Sequence, residues 1–278
     1  MGKTDTILIA VGGGEIEEAE DILKEFLDPL KKHSDPRIVI MTVATSKPVE
    51  AGKKYRNLFK KRGIKNIDVV DISLREDAFA EAGIEKIRKA DALFFTGGDQ
   101  LNVTSLLGGS PIHKLINDRI ESGFLVAGTS AGATMMSNGM ITSGRGDRPP
   151  KVGAVKIAPG MDLLPETMID THFSQRGRHG RLLTAIAHYP QDLGIGIDEK
   201  TAIVVKGKKF KVFGEGAVTV MDGSKMRHND LPYRKDDRPI GMFGVDVHVL
   251  PAGYTFDLVT REPISPALKK MAGNNDED

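Results

Sequence analysis

Apolar runs alternate with amphipathic segments along the first half of the chain. The runs are rich in Val, Ile, Leu and Phe, which is typical of strands buried on both faces of a sheet. They lie at residues 6–11, 37–43, 67–72, 92–96 and 124–127. The segments between them carry apolar residues at helical spacing, at residues 16–30, 49–62, 84–89 and 112–121. This alternation predicts an α/β fold with a mostly parallel central sheet flanked by helices.

The pattern changes after Gly139. Polar, proline-containing stretches predict exposed loops at residues 145–151 and 231–239, and an amphipathic stretch predicts a helix at 174–189. Short strand patterns follow at residues 194–197, 202–205, 209–213 and 217–221, with glycine turns at 207–208 and 214–216 and a last pair at 245–250 and 254–259. They predict C-terminal antiparallel hairpins. We expect one domain over residues 1–273 and a frayed acidic tail at 274–278.

The composition narrows the class of protein. The 278 residues are 40% hydrophobic and 28% charged, as in an ordinary globular protein. A net charge of +1 gives no overall field toward nucleic acid or acidic membranes, so recognition of charge needs a local cluster. The absence of cysteine excludes disulfides, thiolate metal sites and a cysteine nucleophile. With no recognisable secretory signal or membrane-spanning run, we expect a cytoplasmic protein without nucleic-acid or membrane partners.

A serine lies at a predicted strand-to-helix turn. The stretch GTSAG at residues 128–132 follows an apolar run and places Ser130 between small residues, which leave room for a substrate. Amides at the start of the helix can stabilise negative charge. The bland alternative is a glycine-rich turn with an incidental serine. A second glycine turn, GGDQ at 97–100, also follows a strand and can point a backbone amide into the same cleft, or can simply lead into a helix.

Two further segments supply a base and carboxylates. His172 ends a short apolar stretch, and histidine is the base that a serine hydroxyl needs near neutral pH. Arg178 and Arg181 share one face of the helix predicted after it, and guanidinium groups suit carboxylates, although each arginine can equally belong to a solvated basic face. Asp198 and Glu199 follow another strand, and either carboxylate can orient the imidazole.

No metal or dinucleotide motif is present in the sequence. His172 and His179 lack the H-E-x-x-H pattern, so no metal is expected. The three glycines at 12–14 follow the first predicted strand without the full dinucleotide spacing, and we interpret them as a tight turn near the site.

Taken together, these motifs resemble the cyanophycinases. They are GGDQ at 97–100, GTSAGA at 128–133, DTHFSQRGRHGRL at 170–182 and GIGIDEKTA at 194–202, in an order that matches along most of the chain. The Arg-Gly-Arg-x-Gly-Arg run is the specific part, because the serine turn alone also fits related aspartyl dipeptidases. The fold expected with this resemblance is flavodoxin-like or class I glutamine amidotransferase-like.

The resemblance implies Ser130 as nucleophile, His172 as base and Glu199 as the third member of a triad. It implies hydrolysis of multi-L-arginyl-poly-L-aspartate (cyanophycin) to β-aspartyl-arginine dipeptides by a cytoplasmic homodimer without a cofactor. The expected substrate-binding residues are Asp99, Gln100, Asp170, Thr171, Arg176, Arg178 and Arg181. Thr171 departs from the family pattern, which usually has glutamine before the histidine, so contacts to the substrate are altered there.

Three hypotheses follow. In the first, a serine exopeptidase uses the amides of Gly98 and Ala131 as an oxyanion hole, while Arg178 and Arg181 pair with substrate carboxylates; the substrate is cyanophycin or another acidic peptide. In the second, an α/β-hydrolase-type esterase uses His228 or His248, because the histidine then comes last in the chain. In the third, a non-catalytic protein holds acidic ligands on its arginines.

Overall fold

The computed structural model describes residues 6–146, 148–235 and 238–266, and the predicted tail at 274–278 lies outside them. Within these residues the helices are α1 Glu20–Leu27, α2 Pro48–Lys61, α3 Glu81–Arg88, α4 Gln100–Leu107, α5 Pro111–Glu121, α6 Ala131–Thr134 and α7 His179–His188. The strands are β1 Ile7–Val11, β2 Arg37–Met41, β3 Asn66–Val70, β4 Ala92–Phe95, β5 Leu125–Thr129, β6 Gly139–Gly144, β7 Val155–Pro159, β8 Thr167–Thr171, β9 Leu193–Ile197, β10 Thr201–Lys206, β11 Lys209–Gly214, β12 Ala217–Asp222, β13 His228–Asn229, β14 Met242–Phe243, β15 Asp246–Pro251, β16 Thr255–Asp257 and β17 Glu262–Ile264.

The larger sheet has nine strands in the order β17-β16-β11-β10-β1-β5-β4-β2-β3. Strands β1 to β5 pair in parallel, which confirms the five strands predicted for the first half of the chain. The other four strands extend the sheet beyond β1 with antiparallel pairing. Since β1 lies beside β5, the strand order differs from that of flavodoxin, in which the first strand lies between the second and the third.

Helices cover the larger sheet because each presents one apolar stripe to it. On one face, Phe26 of α1 and Phe59 of α2 pack against Phe94 of β4. The other face packs against α3 and α5, which contribute Ile87 and Ile116 to the same core cluster. The predicted α/β architecture, with helices flanking a central sheet, is therefore confirmed.

A second sheet packs onto that same core. Its order is β15-β12-β9-β8, with β8 and β9 parallel and the other neighbours antiparallel. Ile169 and Ile195 of this sheet belong to the cluster that contains Val39 of the larger sheet. Its outer face is covered by α7 through Leu182 and Ile186. The two sheets thus share one core.

The predicted C-terminal hairpins are right in part. Strands β10 and β11 form the hairpin expected at residues 202–213. The segments at 245–250 and 254–259 do not pair with each other, because β15 pairs with β12, whereas β16 pairs with β11 and β17. The glycine turn at 214–216 likewise carries the chain from one sheet to the other rather than closing a hairpin. The hairpin of β6 and β7, which flanks the predicted loop at 145–151, was not predicted.

The strand registers bring the candidate segments together. In the larger sheet, Val11 aligns with Thr129 and Phe95 aligns with Gly128, so β1, β4 and β5 end at one edge. In the second sheet, Thr171 aligns with Ile197, so β8 and β9 also end together. The residues that follow these five strands are the glycines at 12–14, GGDQ, Ser130, His172 and the Asp198–Glu199 pair.

Candidate active site

Ser130 occupies a strained turn between β5 and α6. Its φ of +53° and ψ of −114° are unusual for a residue with a side chain. Small neighbours are required on both sides of it. A Cβ at Gly128 would lie 2.1 Å from the carbonyl oxygen of Gly132, and a Cβ at Gly132 would lie 2.6 Å from the carbonyl oxygen of Phe95. Packing therefore dictates the glycines that frame this serine.

His172 faces the serine from the second sheet. It follows β8 with a φ of +50°, and its Nε2 lies 2.8 Å from Ser130 Oγ. Its side chain is only 12% exposed. The opposite ring atom, Nδ1, lies 2.6 Å from Glu199 Oε1. The structure therefore brings Ser130, His172 and Glu199 into one continuous chain of hydrogen bonds.

The two carboxylates after β9 have different partners. Glu199 reaches His172, and its backbone N–H donates to Gln175 Oε1 at 3.0 Å. Asp198 is buried and accepts from the backbone N–H groups of Ser174 and Ala217. Residue chemistry left these two carboxylates as alternatives, and the resemblance implied Glu199. In the structure only Glu199 contacts the imidazole.

The glycine loop, residues 12–14, and the end of β1 connect the backbones of all three segments. The carbonyl of Val11 accepts from the N–H of Ser130, and the carbonyl of Gly12 accepts from the N–H of His172. The carbonyl of Gly13 accepts from the N–H of Lys200, the residue after Glu199. A Cβ at Gly13 would lie 2.2 Å from His172 Cε1, so the imidazole packs directly on this glycine. Residues 11–13 therefore fix the relative positions of the backbones that carry Ser130, His172 and Glu199.

Burial sets the protonation state of His172. Loss of solvent around the ring lowers its pKa below the ordinary value of 6.5, and the positive charges of Arg176 and Arg178 lower it further. The hydrogen bond and charge of Glu199 act in the opposite direction but do not reverse the shift. The neutral imidazole, which can accept a proton from a hydroxyl, is therefore the main form at neutral pH.

Two backbone amides, those of Gly98 and Ala131, belong to the turns that meet at Ser130. Gly97 lies against Ser130, since a Cβ on this glycine would be 3.4 Å from the serine Cβ. Gly98 has a φ of +147°. Within the residues that the structure describes, the N–H groups of Gly98 and Ala131 donate to no protein acceptor. Both are thus available to an oxygen atom of a bound molecule.

Asp170, Arg178 and Arg181 form a buried cluster beside His172. Asp170 is 1% exposed at its side chain; its Oδ2 accepts from Arg181 Nε at 2.6 Å and its Oδ1 from Arg178 Nη1 at 3.1 Å. Arg181 Nη2 also donates to Oδ1. Burial lowers the pKa of Arg178 to about 10, so this side chain keeps its charge at neutral pH. Both arginines that were expected to meet substrate carboxylates are engaged by Asp170.

Comparison with known proteins shows to which family the chain belongs. The model of peptidase family S51 matches residues 7–213. The chain belongs to peptidase family S51. It is 33% identical over 272 residues to the cyanophycinase of Trichormus variabilis, covering 97% of this chain and 91% of that protein. It is also 33% identical over 261 residues to the cyanophycinase of Geminocystis herdmanii, covering 93% and 96% of the two chains. The protein is therefore a serine peptidase, and the resemblance to cyanophycinases is confirmed.

The fold of this S51 peptidase is shared with a solved structure. A peptidase from an acI-B1 actinobacterium covers 95% of this chain and 98% of its own, with a TM-score of 0.66 and 22% identity. At this identity the likeness concerns the fold alone.

The remaining predicted substrate residues of the S51 chain lie around the cleft in different settings. Arg176 is exposed, and its side chain makes no hydrogen bond or ion pair with the described residues, although its backbone N–H donates to the carbonyl of His172. Gln100 Nε2 donates to the carbonyl of Ile141 at 2.7 Å, which ties α4 to β6. Asp99 caps α4 by accepting from the N–H of Leu101. Thr171 is buried, and its carbonyl accepts from Arg178 Nη1.

The histidines of the alternative esterase hypothesis lie elsewhere in the molecule. His228 of β13 stacks on Phe243 with ring centroids 4.5 Å apart, and His248 of β15 contacts Phe256. In the described part of this S51 chain, no group of three or more metal-binding side chains is arranged to hold a metal ion, and no helix there is long and apolar enough to cross a membrane.

Sequence reasoning missed two supporting roles. Gln175 holds the backbone of Glu199, although no role was assigned to it. Gly13 touches the histidine ring, whereas the sequence only placed the glycine loop near the site. The sequence did contain a signal for Gln175, because it places a side-chain acceptor three residues after His172. It contained no signal for the contact of Gly13 with the ring, because that contact depends on how the two sheets meet.

Proposed function

We propose that this S51 peptidase is a cyanophycinase, which hydrolyses multi-L-arginyl-poly-L-aspartate and releases β-aspartyl-arginine dipeptides. The observation that carries the proposal is the hydrogen-bonded chain from Ser130 through His172 to Glu199. The choice of substrate is supported by the cyanophycinases that match nearly the whole chain.

In the proposed mechanism, Ser130 Oγ attacks the scissile carbonyl while His172 Nε2 accepts its proton. Glu199 holds the Nδ1–H of the ring and stabilises the imidazolium that forms. The amides of Gly98 and Ala131 bind the oxyanion of the tetrahedral intermediate. His172 then gives the proton to the leaving amine. Water attacks the acyl-enzyme by the same route, and Ser130 is regenerated.

Charge recognition in this proposal falls first to Arg176. Its guanidinium is exposed and lies close enough to His172 to influence the pKa of the ring. Each β-aspartyl-arginine repeat carries the free carboxylate of its arginine, which a guanidinium can bind with two hydrogen bonds. Arg178 is partly exposed and can assist, whereas Arg181 orients Asp170 from within the fold.

The test of the function is a pair of assays on purified protein. Wild-type enzyme is incubated with cyanophycin and with α- and β-aspartyl dipeptides, and the products are identified by mass spectrometry. We expect β-aspartyl-arginine from cyanophycin, and a fall in rate of about a millionfold in Ser130→Ala, as for removal of a serine nucleophile in a well-studied peptidase. Cleavage of the dipeptides alone would show a dipeptidase instead, and near-normal rates in Ser130→Ala would exclude this mechanism.

The resemblance also implies a cytoplasmic homodimer that needs no cofactor, and these remain part of the proposal. Sedimentation velocity of the purified chain tests the dimer. Activity that survives exhaustive treatment with a chelator tests the independence from metal.

A further inference from the structure

A cavity of about 280 Å³ lies inside the hairpin of β6 and β7. Four cationic residues line it, and no acidic residue does so among the residues that the structure describes; the cations are Arg145, Arg148, Lys151 and Lys156. Arg145 and Lys151 have interaction partners already. Arg148 and Lys156 are exposed and have no side-chain partner in the described chain, so they carry the charge offered to the cavity.

The cavity adjoins the candidate active site. Gly144, which lines it, accepts a hydrogen bond from Arg181 Nη1 through its carbonyl. The loop between the two strands packs on the turn after His172, since a Cβ at Gly146 would lie 2.5 Å from Arg178 Cα. At its other end, β6 is held by Gln100 through the carbonyl of Ile141. A substrate that extends past His172 in this direction meets the cavity.

We propose that this cavity is a secondary subsite for carboxylates of the peptide polymer, on repeats beyond the two that flank the scissile bond; the assignment rests on the proposed function. A protein with a net charge of +1 has no general attraction for anions, so a local group of cations has to select them. The arginyl branch of each repeat carries a carboxylate and a guanidinium. The cations of the cavity attract the carboxylate and repel the guanidinium. The arginyl branch therefore lies with its carboxylate toward the cavity and its guanidinium away from it.

The experiment compares the double variant Arg148→Gln/Lys156→Gln with wild type on two substrates: cyanophycin, and a peptide of two β-aspartyl-arginine repeats with one scissile bond. The control Lys60→Gln/Lys61→Gln removes the same charge from exposed positions on α2. We expect KM for cyanophycin to rise about fivefold at unchanged kcat, as for the loss of two partly exposed ion pairs. Both constants for the short peptide, and all constants of the control, should change less than twofold.

Two results would overturn the subsite: an unchanged KM for cyanophycin, or an equal loss on both substrates. Wild-type enzyme that cleaves neither substrate would overturn the proposed function, and the subsite with it, so the two failures are distinguishable. Unfolding temperatures are measured for every variant. If the double variant does not fold, the single change Lys156→Gln at an exposed strand position provides the same comparison, with an expected rise of about twofold.

Discussion

At the scale of single residues, the site is built from backbone conformations that side chains rarely adopt. Ser130, His172 and Lys200 have φ values of +53°, +50° and +52°. Ser130 and His172 directly follow a strand and Lys200 directly precedes one, and a carbonyl of residues 11–13 accepts the N–H of each. Such strain persists because the surrounding hydrogen bonds determine it, and it is common at active sites. The backbone of residues 11–13 thus holds Ser130, His172 and the residue after Glu199 in these conformations.

Gly13→Ala should lower kcat about a hundredfold while losing no more stability than a matched glycine control. The new Cβ would displace the imidazole, and a misplacement near 1 Å costs about a hundredfold in rate. The matched control is Gly63→Ala, because Gly63 also has a positive φ, of +90°, but a Cβ there meets nothing within 4 Å. Both variants should lose about 1–2 kcal/mol to backbone strain. Only Gly13→Ala should lose kcat and the rate of labelling of Ser130 by a fluorophosphonate. Equal kcat in the two variants would refute the positioning role.

Arg176→Gln should move the acid limb of the pH profile to higher pH. Arg176 lowers the pKa of His172, so its removal raises that pKa. At a given pH a larger fraction of the imidazole is then protonated and unable to act as the base. The pH dependence of kcat/KM for the short peptide reports this group in the free enzyme. Lys61→Gln serves as the control, since Lys61 is not among the charges that act on His172. A shift toward lower pH would contradict the electrostatic assignment.

At the scale of elements, sequence patterns identified strands and helices more readily than strand partners. The parallel strands of the larger sheet and most helices were predicted because their periodicity is local. The hairpin expected from residues 245–259 was wrong because β15 and β16 join different sheets, and alternation of apolar residues does not specify a partner. The candidate site was predictable where a residue follows a strand, as with His172. The choice of Glu199 over Asp198 came from the family resemblance, because the chemistry of the two residues does not show which carboxylate the turn directs to the ring.

The buried cluster that joins β8 to α7 should be sensitive to charge removal. Asp170→Asn leaves Arg178 and Arg181 without their anion inside the fold, and we expect a loss of about 3–5 kcal/mol in the free energy of unfolding in urea. The double variant Asp170→Leu/Arg181→Met removes the anion together with Arg181, its more buried partner, and leaves only Arg178 unpaired, so part of this loss should be recovered.

The control for this cluster is Asp246→Asn. Asp246 pairs with Lys225 on the surface, with 41% and 68% of the two side chains exposed, and such pairs contribute about 0–1 kcal/mol. If Asp170→Asn cost no more than this control, the cluster would not be a structural unit, and its arginines would be available to ligands.

At the scale of the whole molecule, the reacting groups come from two sheets that share a core. Ser130 follows a strand of the larger sheet, whereas His172 and Glu199 follow strands of the smaller one. Another cavity, of about 490 Å³, is lined by Leu8, Thr167 and Leu193, which lie near the opposite ends of the strands. It is therefore separated from the hydrogen-bonded chain by the length of the sheet.

The chain leaves the larger sheet at Ser130 and enters the smaller one at β8, and the hairpin of β6 and β7 is made on the way. The segment between Ser130 and β8 can change in length or in charge while Ser130 and β8 at its two ends keep their positions. If the proposed function and subsite hold, exchange of the segment between Ser130 and β8 among relatives would change which polymer is bound and leave Ser130, His172 and Glu199 in place.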